Sequence, residues 1–448
     1  MDLSIFKAYD VRGIYPAEFD EKAAYAIVQA YVKFLKPKTV VLGRDVRASG
    51  QKLWEAAKQG LVDHGVEVID IGVISTDMMY FAVANYKYAG GITISASHNP
   101  AEYNGMKLVK AGAEPISWDT GIQDIMQLVK EGYAHKAGTP GKVIEKNIQA
   151  DYLAKCLSLI DVKKIKAFKV AANGMFGQVA QNVTSLDLPI KYSFINDKPD
   201  GTFPKGPPDP MLEENKVETG ELVKKSGSDF GVAWDGDADR CFLFDETGRA
   251  IPAYYLTALL GEYFAKKNPG AKIICDARLT WAVKEKVEAA GGKVLYNKAG
   301  HSFIKERMRI EDAVFAGEAS GHMYFKDYFY CDNGLIPYLL FLQILSDMPK
   351  GQKVSEIFQP YFDHHPVSGE LNTRLPSNTK PIKIMERMLY NYHEGKLENI
   401  DGLSIEFPEW RANIRSSNTE PLVRLNVEAI NEKVLQKMTQ ELLMIIRS

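Results

Sequence analysis

Short apolar runs alternate with polar loops and helix-compatible stretches along most of this 448-residue chain. The first repeat of the pattern has a strand-like run at 39–42, a helix-like stretch at 51–64 and a β-rich run at 66–71. Two further repeats have their strand-like runs at 168–172 and 190–195, and at 272–275 and 293–296. Each repeat predicts a βαβ unit, in which two strands pair in parallel and a helix covers the sheet.

The chain departs from this pattern after about residue 366. There the sequence predicts an extended segment at 367–375, a strand at 422–429 and a final helix at 432–446. The predicted fold class is therefore α/β, with three similar βαβ-type domains and a smaller C-terminal α+β domain. Gly, Pro and charged residues mark the boundaries of four predicted domains, at 1–146, 147–248, 249–365 and 366–448.

The composition and net charge of the chain indicate which kind of binding partner to expect. Hydrophobic residues make up 46% and charged residues 25% of the chain, as in soluble folded proteins, and the formal net charge is -2. Such a weak field attracts neither nucleic acid nor an anionic membrane, so we expect a small ligand held by a local cluster of donors. The four cysteines are widely spaced, as expected of reduced core residues.

The longest apolar stretch, 335–345, is too short to cross a bilayer, and the N-terminus lacks the pattern of a signal peptide. A cytoplasmic protein is expected. The sequence leaves open whether it is a monomer or a dimer.

A first candidate for chemistry is the serine loop, 95–100. An apolar run at 90–94 precedes it, and it contains Ser97, His98 and Pro100. A serine at the end of a strand can carry a phosphoryl group if a base or a metal assists it. The alternative is an ordinary turn with local hydrogen bonds. Lys107 supplies a cation ten residues further on.

A second candidate is the aspartate loop, 235–240, between the apolar runs 230–234 and 241–244. It has carboxylates at every second position, Asp235, Asp237 and Asp239, separated by Gly and Ala and followed by Arg240. Crowded carboxylate oxygens are ligands that Mg²⁺ prefers, and a bound cation relieves their repulsion. A solvated acidic hairpin is the alternative, which the strongly apolar flanks disfavour.

Two more polar loops follow apolar runs. The segment 317–322 places Glu318, Ser320 and His322 among glycines, where carboxylate and hydroxyl groups could bind a polyol. The segment 415–421 combines a guanidinium with hydroxyl and amide donors, which suits a phosphate dianion. Plain polar turns are the alternative for both. Arg12 and Arg278 would add cations in two further loops.

Together these four loops, in this order, resemble those of the α-D-phosphohexomutase family, and most closely its bacterial phosphomannomutase/phosphoglucomutase branch. The resemblance covers nearly the full length. It implies mixed sheets in domains arranged around a central cleft. It assigns the four domains, in chain order, to the phosphoserine, to the metal, to the sugar and to a phosphate.

The resemblance implies that Ser97 is the phosphoserine and that Asp235, Asp237 and Asp239 bind Mg²⁺ together with the seryl phosphate. Arg240 would contact that phosphate. It also places Lys107 and His98 beside Ser97. Lys107 and Arg12 are among the candidates for proton transfer and charge stabilisation, and His98 is counted with them as catalytic. Which residue is the general base stays open.

In the later domains the resemblance assigns the sugar hydroxyls to Glu318 and Ser320, with His322 next to them. His301 would read the orientation of the sugar, and Arg278 stands where some relatives have Lys. The phosphate that does not react would be bound by four residues: Arg415, Ser417, Asn418 and Thr419.

The implied reaction interconverts hexose 1-phosphate and hexose 6-phosphate, of mannose, glucose or both, with a hexose 1,6-bisphosphate as intermediate and activator. Phosphoryl transfer asks a protein mainly for positioning and charge stabilisation, which fits one metal and several cations. A phosphoglucosamine mutase is the nearest alternative. A metal-dependent sugar phosphatase would also use clustered aspartates, and a non-catalytic sugar-phosphate sensor would bind without turnover.

Overall fold

The computed structural model describes residues 2–375, 380–416 and 422–447. The chain divides into two units. Unit 1 comprises Met1–Ala250 and His322–Lys350, and unit 2 comprises Ile251–Gly321 and Gly351–Ser448. Among the described residues, no helix combines the length and the apolar character that crossing a membrane would require.

The first sheet of unit 1 has the strand order β1-β5-β4-β2-β3-β6. Its strands are β1 (Val11–Ile14), β2 (Thr39–Arg44), β3 (Glu67–Val73), β4 (Gly90–Ile94), β5 (Tyr103–Lys110) and β6 (Val143–Glu145). Its helices are α1 (Glu21–Leu35), α2 (Gly50–Asp63), α3 (Thr76–Asn85) and α4 (Ile122–Lys130). Strand β2 pairs in parallel with β3 and β4, as the βαβ pattern predicts, whereas β5 is antiparallel to β1 and β4.

Local chemistry fixes the ends and packing of these elements. The Asp20 carboxylate accepts a hydrogen bond from the Ala23 N–H at 2.8 Å and so caps α1. Tyr31, fully buried on α1, donates its hydroxyl to the Val109 carbonyl at 2.9 Å. A Cβ at Gly90 would lie 2.0 Å from that hydroxyl oxygen, so only glycine lets α1 pack this closely on β4.

The second sheet of unit 1 is built on the same plan. Its elements are α5 (Gln149–Leu157), β7 (Phe168–Asn173), α6 (Val179–Thr184), β8 (Ile190–Ile195), α7 (Glu213–Ser226), β9 (Phe230–Trp234) and β10 (Cys241–Phe244). Strand β7 pairs in parallel with β8 and β9, whereas β10 returns antiparallel to β9. The aspartate loop is therefore the connection of an antiparallel pair, and Trp234 lies opposite Cys241 just before it.

The next segment contains β11 (Ala250–Ile251), α8 (Ala253–Lys267), β12 (Lys272–Asp276), α9 (Trp281–Ala289), β13 (Lys293–Asn297), α10 (His301–Glu311) and β14 (Phe315–Gly317). In unit 2, β12 pairs in parallel with β13 and β14, which is the third predicted βαβ unit. The chain then contributes β15 (Met323–Phe325), β16 (Cys331–Asp332) and α11 (Leu335–Asp347) to unit 1, where α11 packs against α5.

The C-terminal part of unit 2 is an antiparallel sheet with the order β17-β21-β20-β19-β18. Its elements are α12 (Val354–His364), β17 (Leu371–Arg374), α13 (Pro381–Asn391), β18 (Lys396–Glu398), β19 (Leu403–Glu406), β20 (Trp410–Ser416), β21 (Leu422–Ala429) and α14 (Glu432–Arg447). Five short 3-10 helices complete the described structure: Leu3–Ile5, Ala111–Ala113, Trp118–Thr120, Val162–Lys164 and Lys326–Tyr328.

A buried carboxylate joins the C-terminal sheet to the start of α9 within unit 2. Glu428, on β21, is fully buried and accepts hydrogen bonds from the backbone N–H groups of Thr280 (2.8 Å) and Trp281 (3.0 Å). The Tyr254 hydroxyl donates to it at 2.7 Å, and the Arg411 guanidinium at 3.4 Å. Because a helix N-terminus favours negative charge, Glu428 both caps α9 and balances the charge of Arg411.

Replacing Glu428 with Gln should destabilise unit 2. The change leaves the buried Arg411 without its counter-charge, and losing one partner of a buried ion pair costs about 3 kcal/mol. Urea denaturation should show a lower free energy of unfolding. The exposed Glu409, also in the C-terminal sheet region, offers a control: E409Q should leave the curve nearly unchanged, and equal effects of the two substitutions would contradict the assignment.

Candidate active site

Ser97 is held in a fixed position just beyond the carboxyl end of β4. It is buried and adopts a left-handed backbone conformation with φ of 51°. Its N–H donates to the Ser95 hydroxyl at 2.9 Å, and its carbonyl accepts from the Arg47 guanidinium at 2.8 Å. The left-handed conformation turns the chain sharply at the end of the strand, and these bonds keep it there.

Arg47 organises the whole serine loop. Its guanidinium donates to four carbonyls of that loop and its continuation, those of Ser97, Asn99, Pro100 and Tyr103. The side chain is fully buried, and Asp45 accepts from its Nε at 3.2 Å. No sequence motif marked Arg47 as part of the site, because a buried arginine that binds carbonyls looks like any other loop arginine in the sequence.

The three aspartates of the aspartate loop converge. One carboxylate oxygen from each of Asp235, Asp237 and Asp239 lies within 4.8 Å of the others, and all three residues are buried. A Cβ at Gly236 would lie 3.0 Å from the Ser97 carbonyl oxygen, so glycine allows the two loops to meet. As a result, the Ser97 Oγ is 3.3 Å from Oδ2 of Asp235.

This group fits a divalent cation. Oδ1 of Asp237 and Oδ1 of Asp239 are buried, and neither accepts a hydrogen bond from the described part of the chain. Buried carboxylate oxygens without donors are costly unless a cation binds them, and an all-oxygen set suits Mg²⁺. Burial, with the nearby carboxylates, raises the pKa of Asp235 to about 7 even though Arg240 opposes the shift.

Cations surround the aspartates. The Lys107 ammonium lies 2.7 Å from Oδ2 of Asp237 and 2.6 Å from Oδ2 of Asp239. Burial opposes its charge, but these two carboxylates raise the pKa of Lys107 above its ordinary value. The Lys107 ammonium in turn lowers the pKa of Asp237, against the effect of burial. Arg240 donates from Nε to Asp235 at 2.7 Å. Two of the predicted cations, Lys107 and Arg240, therefore contact the aspartates directly.

Two more predicted residues contact the serine loop, His98 at Ser97 and Arg12 at Asn99. The His98 Nδ1 is 3.2 Å from the Ser97 Oγ. Burial, together with Arg240 and Arg12, lowers the pKa of His98 well below its ordinary value, so the imidazole is neutral at pH 7. Arg12 donates to Oδ1 of Asn99, in the same loop, at 2.7 Å and pairs with Asp10.

His322 also belongs to this group in unit 1. Its Nδ1 lies 3.0 Å from Oδ2 of Asp332 and 3.6 Å from Oδ1 of Asp239. A short backbone bridge joins His322 to Arg240 in antiparallel fashion. Unit 1 thus brings together every predicted residue of the serine and aspartate loops, with Arg12, Lys107 and His322.

Sequence reasoning missed Thr76, which supports the aspartate loop from α3. Its hydroxyl donates to Oδ2 of Asp237 at 2.5 Å, and its N–H donates to the Asp237 carbonyl at 3.0 Å. The Ser95 hydroxyl approaches the same Oδ2 at 3.3 Å. Donors that orient a metal-binding carboxylate in this way help to set the affinity of the site.

In unit 2 the predicted residues Arg278 and Glu318 come together around Asp276. Asp276 accepts from Arg278 at both oxygens, at 2.9 and 2.8 Å, and also from the Ala319 N–H at 2.7 Å. Glu318 accepts from the N–H of Gly300, the residue before His301, at 3.0 Å and lies 3.7 Å from the Arg278 guanidinium. Ser320 is half-buried two residues beyond Glu318.

Of the four residues predicted to bind the non-reacting phosphate, Arg415 is the one that the structure describes. It lies near the end of β20, and its guanidinium pairs with Glu370 at 2.7 Å. Ser417, Asn418 and Thr419 lie outside the described residues. Glu370 was not predicted, because a single glutamate ahead of a strand has no motif around it.

The sequence matches family profiles in all four segments of the chain. The matches are to "Phosphoglucomutase/phosphomannomutase, alpha/beta/alpha domain I" over residues 3–136, domain II over 150–248, domain III over 252–364 and the C-terminal domain over 370–444.

Curated proteins and a solved structure are similar over almost the whole length. A phosphomannomutase of Salmonella montevideo is 43% identical, with 100% of both chains covered. A Xanthomonas campestris protein named "Phosphohexose mutases" is 42% identical, again over 100% of both. A phosphoglucomutase/phosphomannomutase family protein from Burkholderia thailandensis has a similar structure, with a TM-score of 0.89, 29% identity, and 99% and 97% of the two chains covered.

Behind the aspartate loop, Asp77 is a buried carboxyl within a hydrogen-bond network. It follows Thr76 on α3 and accepts from the Tyr152 hydroxyl and the Asn333 amide, both at 2.6 Å, and from the Ser75 hydroxyl. Burial raises the pKa of Asp77 to about 7. Three segments of unit 1 therefore meet at one titratable group.

Substituting Asp77 with Asn should reduce the pH dependence of stability. The pKa of Asp77 is about 7 in the folded protein but near 3.8 when unfolded, so the folded state binds the proton more tightly. The free energy of unfolding therefore falls as pH rises from about 4 to 7, by at most about 4 kcal/mol, and stays low above that range. Denaturation at pH 5 and pH 8 should give a smaller difference for D77N than for the unmodified protein. An undiminished difference would show that Asp77 titrates normally.

Proposed function

Because the chain belongs to the phosphoglucomutase/phosphomannomutase family, we propose that it interconverts hexose 1-phosphate and hexose 6-phosphate, of mannose, glucose or both. The reaction passes through phosphorylated Ser97 and a hexose 1,6-bisphosphate. The observation that carries this proposal is the Ser97 Oγ at 3.3 Å from Asp235, in a cluster of three carboxylates with unfilled acceptor positions.

The metal site of the proposal consists of Asp235, Asp237, Asp239 and the phosphate on Ser97. A bound Mg²⁺ would supply positive charge next to the phosphoryl group that is transferred. The buried Oδ1 atoms of Asp237 and Asp239 support this assignment, because they accept no hydrogen bond from the described residues.

Transfer from Ser97 breaks the bond between its Oγ and phosphorus and forms one between phosphorus and a sugar hydroxyl. The hydroxyl loses its proton, and the Ser97 Oγ gains one. His98 is neutral and 3.2 Å from the Oγ, so we assign it to this proton exchange. Lys107 and Arg12 act as fixed cations, because Lys107 pairs with two carboxylates and its pKa is raised.

The second phosphoryl group of the intermediate then returns to Ser97, which requires the sugar to turn around. We assign its hydroxyls to Glu318 and Ser320, and we count His301 and His322 among the residues that bind substrate. Arg240 contacts the seryl phosphate. The non-reacting phosphate is bound by a cationic pocket of unit 2, formed by Arg278 and Arg415 with the predicted Ser417, Asn418 and Thr419.

Replacing Ser97 with Ala should abolish mutase activity and phosphoryl incorporation, because the change removes the hydroxyl that lies beside Asp235. The assay supplies mannose 1-phosphate or glucose 1-phosphate with Mg²⁺ and a trace of hexose 1,6-bisphosphate. Hexose 6-phosphate and inorganic phosphate are both measured.

The unmodified protein should form hexose 6-phosphate and release no inorganic phosphate. Release of inorganic phosphate without hexose 6-phosphate would identify a phosphatase. Glucosamine 1-phosphate, run in parallel, tests the phosphoglucosamine mutase alternative through its kcat/KM. Full activity of S97A would exclude Ser97 as carrier.

Replacing Thr76 with Val should weaken activation by Mg²⁺. The change keeps the size of the side chain but removes the hydroxyl that donates to Asp237, and losing a donor behind a metal ligand typically lowers affinity about tenfold. The Mg²⁺ concentration for half-maximal activity should rise accordingly, with most activity recovered at saturation. The matched control is T184V, an exposed threonine on α6, which should leave the Mg²⁺ dependence unchanged. A loss of activity that Mg²⁺ does not restore would show a different role for Thr76.

A further inference from the structure

Three arginines of unit 2 converge on one carboxylate. Glu370 lies 2.7 Å from Arg415, 2.9 Å from Arg424 and 3.4 Å from Arg278. We propose that Glu370 is an internal counter-anion of the phosphate pocket, which a substrate phosphate must displace, and that Arg424 is a further phosphate-binding cation. This inference rests on the proposed function, which assigns Arg278 and Arg415 to the non-reacting phosphate.

The backbone forces two of these charges together. Arg415 on β20 and Arg424 on β21 are direct cross-strand partners in an antiparallel pair. Like charges opposite each other destabilise a sheet, so this pair needs an anion nearby. Glu370 immediately precedes β17, the strand that pairs with β21 on its other side, and Asn372 of β17 is the partner of Arg424. The sheet register thus brings the carboxylate to both guanidiniums.

Glu370 binds as an anion in a partly enclosed place. Its side chain is 16% exposed, and one oxygen pairs with Arg424 while the other pairs with Arg415 and Arg278. Burial opposes its charge, yet Arg415 and Arg278 lower the pKa of Glu370 to about 2. The carboxylate therefore remains charged at any pH where the protein would work.

The guanidiniums have binding capacity that Glu370 does not use. The Nε atoms of Arg415 and Arg424 are buried and donate to no acceptor within the residues that the structure describes. Asp276 already pairs with Arg278 through both oxygens, so Glu370 faces two guanidiniums with one charge. Asp401 approaches Arg415 only to 4.0 Å. A phosphate dianion, with its second charge and third oxygen, matches this pair of arginines better than a carboxylate does.

The position of Arg278 is fixed independently of Glu370. Arg411, itself buried, donates to the carbonyls of Ala277 (2.6 Å) and Arg278 (3.0 Å), and Glu428 binds the following turn. The pocket therefore does not depend on Glu370 for the placement of this loop. Glu370 acts on the charge of the pocket, so removing its charge should favour phosphate.

This arrangement has a use in a mutase. When the bisphosphate intermediate turns around, one of its phosphates must leave the phosphate pocket. The other phosphate must then enter the pocket. While the pocket is empty, Glu370 neutralises the arginines, which lowers the cost of release. The expected consequence is that the protein binds phosphate more weakly than it would without the charge of Glu370.

The experiment titrates inorganic phosphate into the full-length S97A protein by calorimetry, so that no phosphoryl transfer occurs. Adding Glu370→Gln should lower the Kd for phosphate about tenfold, because the competing charge is gone. The matched control is Asp401→Asn, which removes a carboxylate at 4.0 Å from the same Arg415 and should change the Kd by less than about twofold. An unchanged or higher Kd in E370Q overturns the proposal, as does an equal gain in D401N.

A second variant decides the matter if E370Q does not fold, which its thermal melting curve would reveal. Arg424→Gln removes the proposed third cation and should raise the Kd about tenfold; an unchanged Kd overturns the proposal. The mutase assay of the unmodified protein is read separately. If the unmodified protein has no mutase activity but E370Q binds phosphate more tightly, the proposed function is refuted and the counter-anion role of Glu370 stands. If mutase activity is normal but E370Q does not bind phosphate more tightly, only the counter-anion role is refuted.

Discussion

The crowding of buried negative charge in the aspartate loop is the constraint on which the rest of unit 1 depends. Asp235, Asp237 and Asp239 are all buried within one short connection between antiparallel strands. Such a group is stable only if cations and donors surround it. Lys107 reaches it from β5 and Thr76 from the start of α3, so the two sheets of unit 1 are joined through this charge balance.

Unit 2 buries positive charge as well as negative charge. Arg278 and Arg411 are each buried in a pair with a carboxylate, and each pair also orders backbone, as Arg411 and Glu428 do at the start of α9. Unfilled donors distinguish the arginines that we propose to bind phosphate from a pair that stabilises the fold. Glu428 has every neighbour it needs from the chain, whereas Arg415 and Arg424 have Nε atoms for which the described residues provide no acceptor.

Periodicity and motif order predicted much of this protein. The βαβ repeats and the α/β class are confirmed, as is membership of the phosphohexomutase family, because strand patterns and loop motifs are local features of a sequence. The domain boundaries and the roles of the individual site residues remain predictions. Arg47, Thr76 and Glu370 could not be predicted, since each acts on residues distant in sequence, at 2.8 Å, 2.5 Å and 2.7 Å, through contacts that only the folded backbone creates.

The left-handed conformation of Ser97, with φ of 51°, limits which amino acids can occupy position 97 of the serine loop. Threonine has the same hydroxyl chemistry, but branching at Cβ makes positive φ angles unfavourable. The backbone conformation at this position therefore favours serine over threonine, although both side chains carry a hydroxyl group. Threonine could replace serine here only if the turn itself changed, so backbone geometry decides which of the two hydroxyl side chains stands beside Asp235.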